Sequence, residues 1–300
     1  MDNTNCSGWY GFETVFLGNK SIEINNVSIG VSDEATQNYG LLGLGYKTQT
    51  DTLTMSMVDQ GLIHHNAYSV YLGSSNVFDN GHTSDEGSIL FGAIDHANYI
   101  GSLTLLPIAS PNDNVNVVLN TLSIANLTTG SNKTLATGHS PALFDTGTTH
   151  LVIPQEIYDA LIDQIEVLEY DSDSSQLIGD CFELFTVGLT FDFMGLEMTF
   201  ALGDFICSNG LSRDDGKCVL GIDGFDSDGF ILGDTFLNHV YFAADLSNHQ
   251  IALAYVNFKN GDADYEEDVE LIESSIPSAT SAKYYHQSSA TASKLVVQTS

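Results

Sequence analysis

The chain has 300 residues, and its charge is strongly one-sided, with 39 acidic residues against 8 basic ones and a formal net charge of -31 at pH 7. This charge excludes nucleic acid as a partner and disfavours an anionic membrane surface, because both would repel the protein. Hydrophobic residues make up 43% of the sequence, which is enough for two modest domains or one large β domain. No run of 18 apolar residues occurs, so no transmembrane span is predicted.

Alternating apolar and polar residues dominate the chain and predict a mostly β protein with few helices. Glycine, Asn and Asp turn signals separate the predicted strands. In chain order these strands cover residues 21–31, 67–73, 87–94, 184–193 and 249–258. Helical spacing predicts one long helix over residues 154–170, with Pro154 near its start, and a short helix over residues 55–60.

Two segments repeat one pattern, in which two large apolar residues precede a glycine. They are "YGLLGLGY" at residues 39–46 and "GFILGDTF" at residues 229–236. A glycine in such a place lets two backbone segments approach closely, and the repetition suggests two related lobes. After about residue 260 an acidic run leads into a segment rich in Ser, Thr and Ala, and this tail is predicted to be solvated and disordered.

The stretch "ALFDTGTTHLVIP" at residues 142–154 places Asp145, Thr146 and Gly147 between two apolar runs. Acid proteolysis uses two carboxylates that share one proton and hold a water between them, because like charges about 3 Å apart cannot both ionise cheaply. The ionised group takes a proton from the water, and the protonated group donates to the carbonyl oxygen of the peptide. The glycine permits a tight turn and directs an N–H group at the carboxylate.

The ordered motifs resemble the pepsin-like aspartic protease family, most closely its secreted fungal branch of candidapepsin, barrierpepsin and yapsin-like enzymes. The motifs are "GLLGLGYKT" (40–48), "AYSVYL" (67–72), "GSILFGAIDHANYIGSLTLLPI" (87–108), "ALFDTGTTHLVIP" and "FILGDTFLNHVYFAADLSNHQIALAYV" (230–256). The resemblance implies an all-β, bilobal fold with a partial N-terminal lobe at residues 1–108 and a complete C-terminal catalytic lobe at residues 109–260. The disordered tail would follow at residues 261–300. It also implies a monomeric aspartic endopeptidase that acts on proteins or peptides without a cofactor or metal.

The resemblance assigns roles to four residues of the Asp-Thr-Gly loop. Asp145 is similar to the second catalytic aspartate of the family, the one in the C-terminal lobe. Thr146 is similar to a buried threonine that reaches across to the partner loop, and Gly147 is similar to the turn glycine. Thr148 resembles the hydroxyl group that bonds the outer carboxylate oxygen.

Two further segments are assigned by the same resemblance. Ile231, Leu232 and Gly233 resemble the segment that packs behind the catalytic loop. Leu42 and Gly43 resemble its counterpart in the N-terminal lobe. The two segments are therefore expected to support one catalytic loop each.

The four cysteines include no CxxC pair, which gives a zinc site little support. The resemblance implies a disulfide between Cys181 and Cys218, which are 37 positions apart. Cys207 is predicted to be a buried free thiol, although it remains a competing partner for Cys218. The pairing of Cys6 stays open.

Five Asn-x-Ser/Thr sequons and a scarcity of lysine favour the secretory pathway, and thus a secreted, cell-surface or cell-wall location. The sequons are at Asn5, Asn19, Asn26, Asn126 and Asn132. The first residues, "MDNTNCSGWYG", have neither the basic region nor the apolar region of a signal peptide. This start predicts that the front of the protein is missing.

The chain departs from the family pattern at one decisive point. It contains no second Asp-Thr-Gly and no Asp-Ser-Gly, and Tyr10 is not followed by the Gly-Asp-Gly turn of the family's flap. The chain is therefore expected to begin after the flap and to carry only the second catalytic aspartate. Asp234, after Ile-Leu-Gly, is expected to be structural and not a replacement for the first.

Three protease-related functions remain open at this point. The first is an aspartic endopeptidase represented by an incomplete chain, and the second is an inactive homologue that keeps a peptide-binding half-cleft. The third, a protease assembled from two identical chains, is disfavoured because this chain already carries segments of both lobes. An unrelated β-rich surface adhesin is disfavoured by the ordered motifs.

Overall fold

The computed structural model describes residues 6–35, 39–47, 49–73, 87–109, 114–207, 215–258, 266–287 and 294–298. The strands are β1 Cys6–Leu17, β2 Ile22–Ala35, β3 Ala67–Tyr71, β4 Ser88–Phe91, β5 Ala93–Asp95, β6 Tyr99–Pro107, β7 Asn116–Asn126, β8 Ser131–Phe144, β9 Leu151–Pro154, β10 Leu168–Asp171, β11 Gln176–Asp180, β12 Val187–Phe193, β13 Leu196–Ala201, β14 Lys217–Leu220, β15 Ile222–Phe225, β16 Phe230–Leu232, β17 Val240–Asp245, β18 Gln250–Val256, β19 Val269–Leu271, β20 Thr280–Ser281 and β21 Leu295–Val297. The α-helices are α1 Leu53–Asp59, α2 Gln155–Gln164 and α3 Asp234–Leu237. The prediction of a mostly β protein is confirmed.

An eight-stranded sheet forms the body of the C-terminal half of the chain. Its strand order is β13, β12, β7, β8, β16, β9 and β15, with β21 paired to β8 beside this path. β16 runs parallel to β8 and β15 runs parallel to β9. Apolar side chains of this sheet fill the largest core cluster, which includes Leu151, Phe191 and Phe236. The short strand β16 therefore lies directly beside the end of β8, which leads into the Asp145 loop.

A six-stranded sheet joins the two halves of the sequence. Its order is β20, β6, β18, β17, β3 and β4, so strands from before residue 108 pair with strands from after residue 240. Side chains alternate between its faces, as strand geometry requires. Val70 and Phe242 pack in the main core, whereas Tyr71 and Tyr241 pack in a second cluster on the other face. The predicted lobe boundaries at residues 108 and 260 stay a prediction, since the six-stranded sheet contains strands from both predicted lobes.

The described part of the tail is ordered, contrary to the prediction of disorder over residues 261–300. β19 pairs with β5, β20 with β6 and β21 with β8. Ile272 and Ile276 are 0% and 3% exposed and fill the second cluster behind the six-stranded sheet. The buried Asp95 carboxylate accepts a hydrogen bond from the Asp268 N–H group at 2.9 Å. The described residues of the tail are ordered because a few apolar residues in a polar segment pack on a face made by distant strands, and the rest of the predicted disordered segment lies outside the described residues.

The helix predicted over residues 154–170 is shorter in the structure. It ends at Gln164, and the next residue, Ile165, already has an extended backbone with φ -114° and ψ 100°. Residues 168–171 form β10, which pairs with β11. The β-branched residues Ile165 and Val167 favour the extended chain, and strand pairing outweighs the helical periodicity. The short predicted helix is present as α1, where the Thr52 hydroxyl group caps the first turn.

Cys181 and Cys218 form a disulfide, as the resemblance implied. Cys181 follows β11, Cys218 lies in β14, and the two strands are antiparallel neighbours. The two Cα atoms are 5.1 Å apart. Cys207 is a free cysteine that is 8% exposed, so its predicted burial is confirmed. The side chain of Cys6 lies outside the described part of the structure.

The β1–β2 hairpin leaves large apolar side chains uncovered. Trp9 and Tyr10 are each 56% exposed and Phe12 is 66% exposed. Among the described residues, one side of the hairpin has a partner, since Ile24 and Val27 pack against α1 there, and the other side has none. A two-stranded ribbon has little capacity to bury both of its faces. This hairpin therefore presents an apolar surface.

The docked tail generates a stability prediction. Ile272→Ala is expected to lower the free energy of unfolding by about 2–5 kcal/mol, because it removes a fully buried aliphatic side chain. Its neighbour Leu271 is 55% exposed and provides a matched control, so Leu271→Ala should change stability by about 0.5 kcal/mol or less. Urea unfolding followed by circular dichroism measures both variants. Equal effects of the two substitutions would show that the tail does not dock in solution.

Candidate active site

Asp145 follows the buried Phe144 in the loop between β8 and β9. Its N–H group donates a hydrogen bond to the Leu232 carbonyl oxygen at 3.2 Å, which ties the loop to β16. The Thr148 N–H group donates to the Asp145 carbonyl oxygen at 3.2 Å and closes the turn. These bonds hold the start of the loop at the end of the parallel pair β8 and β16.

Both oxygens of the Asp145 carboxylate accept hydrogen bonds from within the loop. The Gly147 N–H group donates to Oδ1 at 2.9 Å, and the Thr148 hydroxyl group donates to Oδ2 at 2.8 Å. Hydrogen bonds of this kind fix the orientation of a carboxylate. The carboxylate is therefore held in one position at a partly exposed surface.

The segment after β16 packs tightly behind the loop. The Asp234 N–H group donates to the Thr148 carbonyl oxygen at 2.8 Å. A methyl group at Gly233 would overlap the carbonyl oxygens of Thr148 and His150. The absence of a side chain at Gly233 is therefore what allows the two backbone segments to lie in contact.

The surroundings of the loop differ from two expectations. Thr146, which resembles a buried threonine, is exposed in the structure. Leu42 is 62% exposed, and a methyl group at Gly43 would meet no atom within 4 Å. Both positions were expected to contact a partner loop with a second Asp-Thr-Gly. Residues 1–300 contain no such loop, so it does not cover them.

Asp234, the first residue of α3, has an unusual carboxyl group. Burial, and secondarily the charge of Asp145, raises the pKa of Asp234 from 3.8 to about 6. Its Oδ1 atom is buried and has no hydrogen-bond partner among the described residues. The pKa rises because an unpaired carboxylate in a partly dry site favours its neutral form.

A cavity of about 890 Å³ opens beside the loop. Its lining includes Gly147 and Thr148, which hydrogen-bond Asp145, together with Tyr158, Asp223 and Phe225. The mixture of aromatic, apolar and acidic side chains suits a peptide more than a purely apolar ligand. Within the described ranges, no group of three or more His, Cys, Asp or Glu side chains is arranged to hold a metal ion.

The fold matches that of a solved aspartic proteinase. The crystal structure of the aspartic proteinase from Irpex lacteus superposes with a TM-score of 0.72, covering 88% of this chain and 82% of that chain at 23% sequence identity. The protein therefore has the bilobal, pepsin-like all-β fold that the sequence implied.

The sequence comparisons identify the family. The model of the eukaryotic aspartyl protease family matches residues 2–256. The chain therefore belongs to the eukaryotic aspartyl protease family. It is 31% identical to aspartic proteinase 3 of Saccharomyces cerevisiae and 31% identical to secreted aspartic protease 10 of Candida albicans, over 98% and 94% of this chain. It spans 53% and 58% of these relatives, or about half of their length.

Several site residues were not found by sequence reasoning. Thr235 bridges the site by donating to the Gly221 carbonyl oxygen and accepting from the Leu151 N–H group, both at 2.9 Å. His150 and Asp223 form an ion pair across 73 positions of the chain. No periodicity or motif connects such distant polar residues, so only the folded chain reveals them.

The close approach at Gly233 generates a second prediction. Gly233→Ala is expected to lower the free energy of unfolding by about 1–3 kcal/mol, because its methyl group forces the loop backbone away. Gly43→Ala is the matched control, since a methyl group there meets no atom within 4 Å. Thermal and urea unfolding compare the two variants. Similar unfolding of both would contradict the packing described for the loop.

The raised pKa of Asp234 generates a third prediction. Folding favours protonated Asp234, so its stabilising contribution is full below pH 3.8 and is lost as the pH rises through about 6. Asp234→Asn removes this titration, and the variant should gain stability relative to the wild type as the pH rises from about 4 to 7. Urea unfolding at several pH values measures the difference. The exposed Asp163→Asn provides a control, and a difference independent of pH would contradict the assignment.

Proposed function

We propose that this chain supplies the C-terminal catalytic half of a pepsin-like aspartic endopeptidase, together with part of the N-terminal lobe. The Asp145 carboxylate carries the proposal, because Gly147 and Thr148 hold it beside an open cavity. Membership of the aspartyl protease family supports this role. Protein or peptide chains are the proposed substrates, and they would lie in the cavity next to Asp145.

Peptide hydrolysis by this chemistry needs a second carboxylate. One group takes a proton from the water while the other donates a proton to the peptide carbonyl oxygen, and Asp145 cannot do both in one step. Residues 1–300 carry one Asp-Thr-Gly, so we propose that the second carboxylate comes from polypeptide outside them. The exposed Thr146 and Leu42, and the apolar β1–β2 hairpin, are the surfaces that such polypeptide would cover.

A peptide-binding protein without catalysis is the second candidate function. The cavity beside Asp145 has apolar, aromatic and polar lining residues in this chain, so it can hold one side of a peptide without a second carboxylate. This candidate predicts binding without cleavage. The endopeptidase function predicts that completing the carboxylate pair restores hydrolysis, and the peptide-binding function predicts that it does not.

A secretory location is proposed on two observations. A relative of the chain is named a secreted aspartic protease. Asn19, Asn26, Asn126 and Asn132 are exposed at their sequons, whereas Asn5 lies outside the described residues. In the described part of the chain, no helix has the length and apolar character to cross a bilayer. The proposed protein is a glycosylated monomer that acts outside the cytosol.

The proposal predicts weak activity for residues 1–300 alone. Loss of one member of the acid and base pair costs about 10²–10⁴-fold in rate, so cleavage of an unfolded protein should be slower than that of a complete pepsin-like enzyme by at least this factor. Peptide release between about pH 3 and 6 measures the rate, and the acid end of this range is where a carboxyl pair shares a proton. Robust cleavage that Asp145→Asn abolishes would contradict the need for outside polypeptide.

A fusion tests the catalytic role directly. An N-terminal half from a full-length relative, with its Asp-Thr-Gly and flap, is joined to residues 1–300. The endopeptidase function predicts that this fusion cleaves protein at acid pH and that a statine-type peptide blocks the cleavage. Asp145→Asn should remove the cleavage, and the exposed Asp163→Asn should retain it. Cleavage that survives Asp145→Asn would overturn it. A folded fusion that binds the statine-type peptide without cleaving protein would favour the peptide-binding function.

A further inference from the structure

A hydrogen-bonded row of three side chains lies behind the Asp145 loop. It joins Asp223 of the cavity wall to His150 and Cys207, whose side chains the proposed proteolysis does not use. His150 Nδ1 lies 2.9 Å from Asp223 Oδ2, and His150 Nε2 lies 3.4 Å from Cys207 Sγ. The Asp223 side chain is 58% exposed, the His150 side chain 32%, and Cys207 is 8% exposed. The row therefore runs from the cavity wall, where Asp223 lies, into the protein interior.

The imidazole in this row carries a positive charge over a wide pH range. Its hydrogen bond to the Asp223 carboxylate, and then its hydrogen bond to the Cys207 sulfur, raises the pKa of His150 from 6.5 to about 10. Burial opposes this shift but does not outweigh it. The charged imidazole lies within hydrogen-bond distance of the Cys207 sulfur, so its N–H group is placed to supply a proton when the sulfur reacts.

The backbone around the row holds the sulfur against the imidazole. The Cys207 N–H group donates to the Val219 carbonyl oxygen at 3.0 Å, and the Gly221 N–H group donates to the Phe205 carbonyl oxygen at 2.7 Å. A methyl group at Gly221 would lie 3.0 Å from the His150 ring and 3.1 Å from the Cys207 sulfur. The missing side chain at Gly221 therefore leaves the space in which the sulfur and the imidazole meet. Cys207 is also outside the disulfide.

We propose that Cys207 is a thiol-modification site for small uncharged electrophiles such as hydrogen peroxide, with His150 as its activating and proton-donating partner. The Cys207 thiolate attacks one peroxide oxygen, and the S–O bond forms as the O–O bond breaks. The departing hydroxide takes the proton of the His150 imidazolium and leaves as water. The sulfur loses two electrons and becomes a sulfenic acid, and the peroxide is reduced by the same two electrons.

The surroundings of the row select the size and charge of the reagent. Cys207 is mostly buried, so a reagent reaches its sulfur along the partly exposed edge of His150. Asp223 lies beside this edge, and the whole chain has a net charge of -31. Large or anionic reagents are therefore excluded, whereas hydrogen peroxide and iodoacetamide are small and neutral. This site is independent of any catalytic role of Asp145.

Alkylation of the folded, non-reduced chain by iodoacetamide at pH 6.5 tests the role of His150. Peptide mapping by mass spectrometry counts modification at Cys207 separately from that at Cys6. His150→Gln should lower the rate at Cys207 tenfold or more, and Asp223→Asn should lower it several-fold. His139→Gln is the matched control, because His139 is exposed and bonds Asn120 instead, so its rate should equal that of the wild type.

Hydrogen peroxide followed by dimedone, a trap for sulfenic acids, tests the proposed product. Labelling should appear on Cys207 in the wild type and fall in parallel with the alkylation rate in the His150 and Asp223 variants. Cys207→Ser should remove the label. If circular dichroism shows that the His150→Gln variant is unfolded, the Asp223→Asn variant tests the proposal by itself, because the Asp223 side chain is exposed. Equal rates in the wild type and a folded variant, or modification of Cys207 only after unfolding, would overturn the proposal and identify an inert buried thiol.

Discussion

The contact between Gly233 and the Asp145 loop is the constraint on which the candidate site depends. A loop that exposes a carboxylate has little apolar surface of its own, so another backbone segment must hold it. Here the carbonyl oxygens of Thr148 and His150 lie where a side chain at Gly233 would be. Hydrogen bonds from Asp145 to Leu232 and from Asp234 to Thr148 then close the arrangement on both sides. The loop is positioned by backbone geometry, and its side chains are left available for chemistry.

The six-stranded sheet gives this site a rigid base. Its strands come from both ends of the sequence, and each face is covered by a separate apolar cluster. The main cluster also includes Phe144, the residue immediately before Asp145. Displacement of the loop would therefore disturb a close-packed core, which resists small shifts.

The sequence predicted the class of fold because alternation, turn residues and ordered motifs act locally. It also indicated the loop residues Asp145, Gly147 and Thr148, whose contacts lie within four positions. The sequence did not indicate the contacts between residues that lie far apart in the chain. Helical spacing continued past Gln164, but the following residues pair with β11 instead. The burial of Ile272 and the pairing of His150 with Asp223 follow from surfaces that exist only after folding.

The last described strand has a consequence for how the protein is synthesised. β21 at residues 295–297 pairs with β8 at residues 136–138, so two segments nearly 160 positions apart lie side by side. Since translation proceeds from the N-terminus, the ribosome releases β8 long before its neighbour exists. The face that receives Ile272 and Ile276 is likewise open from the completion of β18 until these two residues emerge. Exposed apolar surface and unpaired strand edges on a nascent chain are the features that chaperones bind. The matched family region ends at residue 256, yet strand pairing in the described part of the chain extends to residue 297.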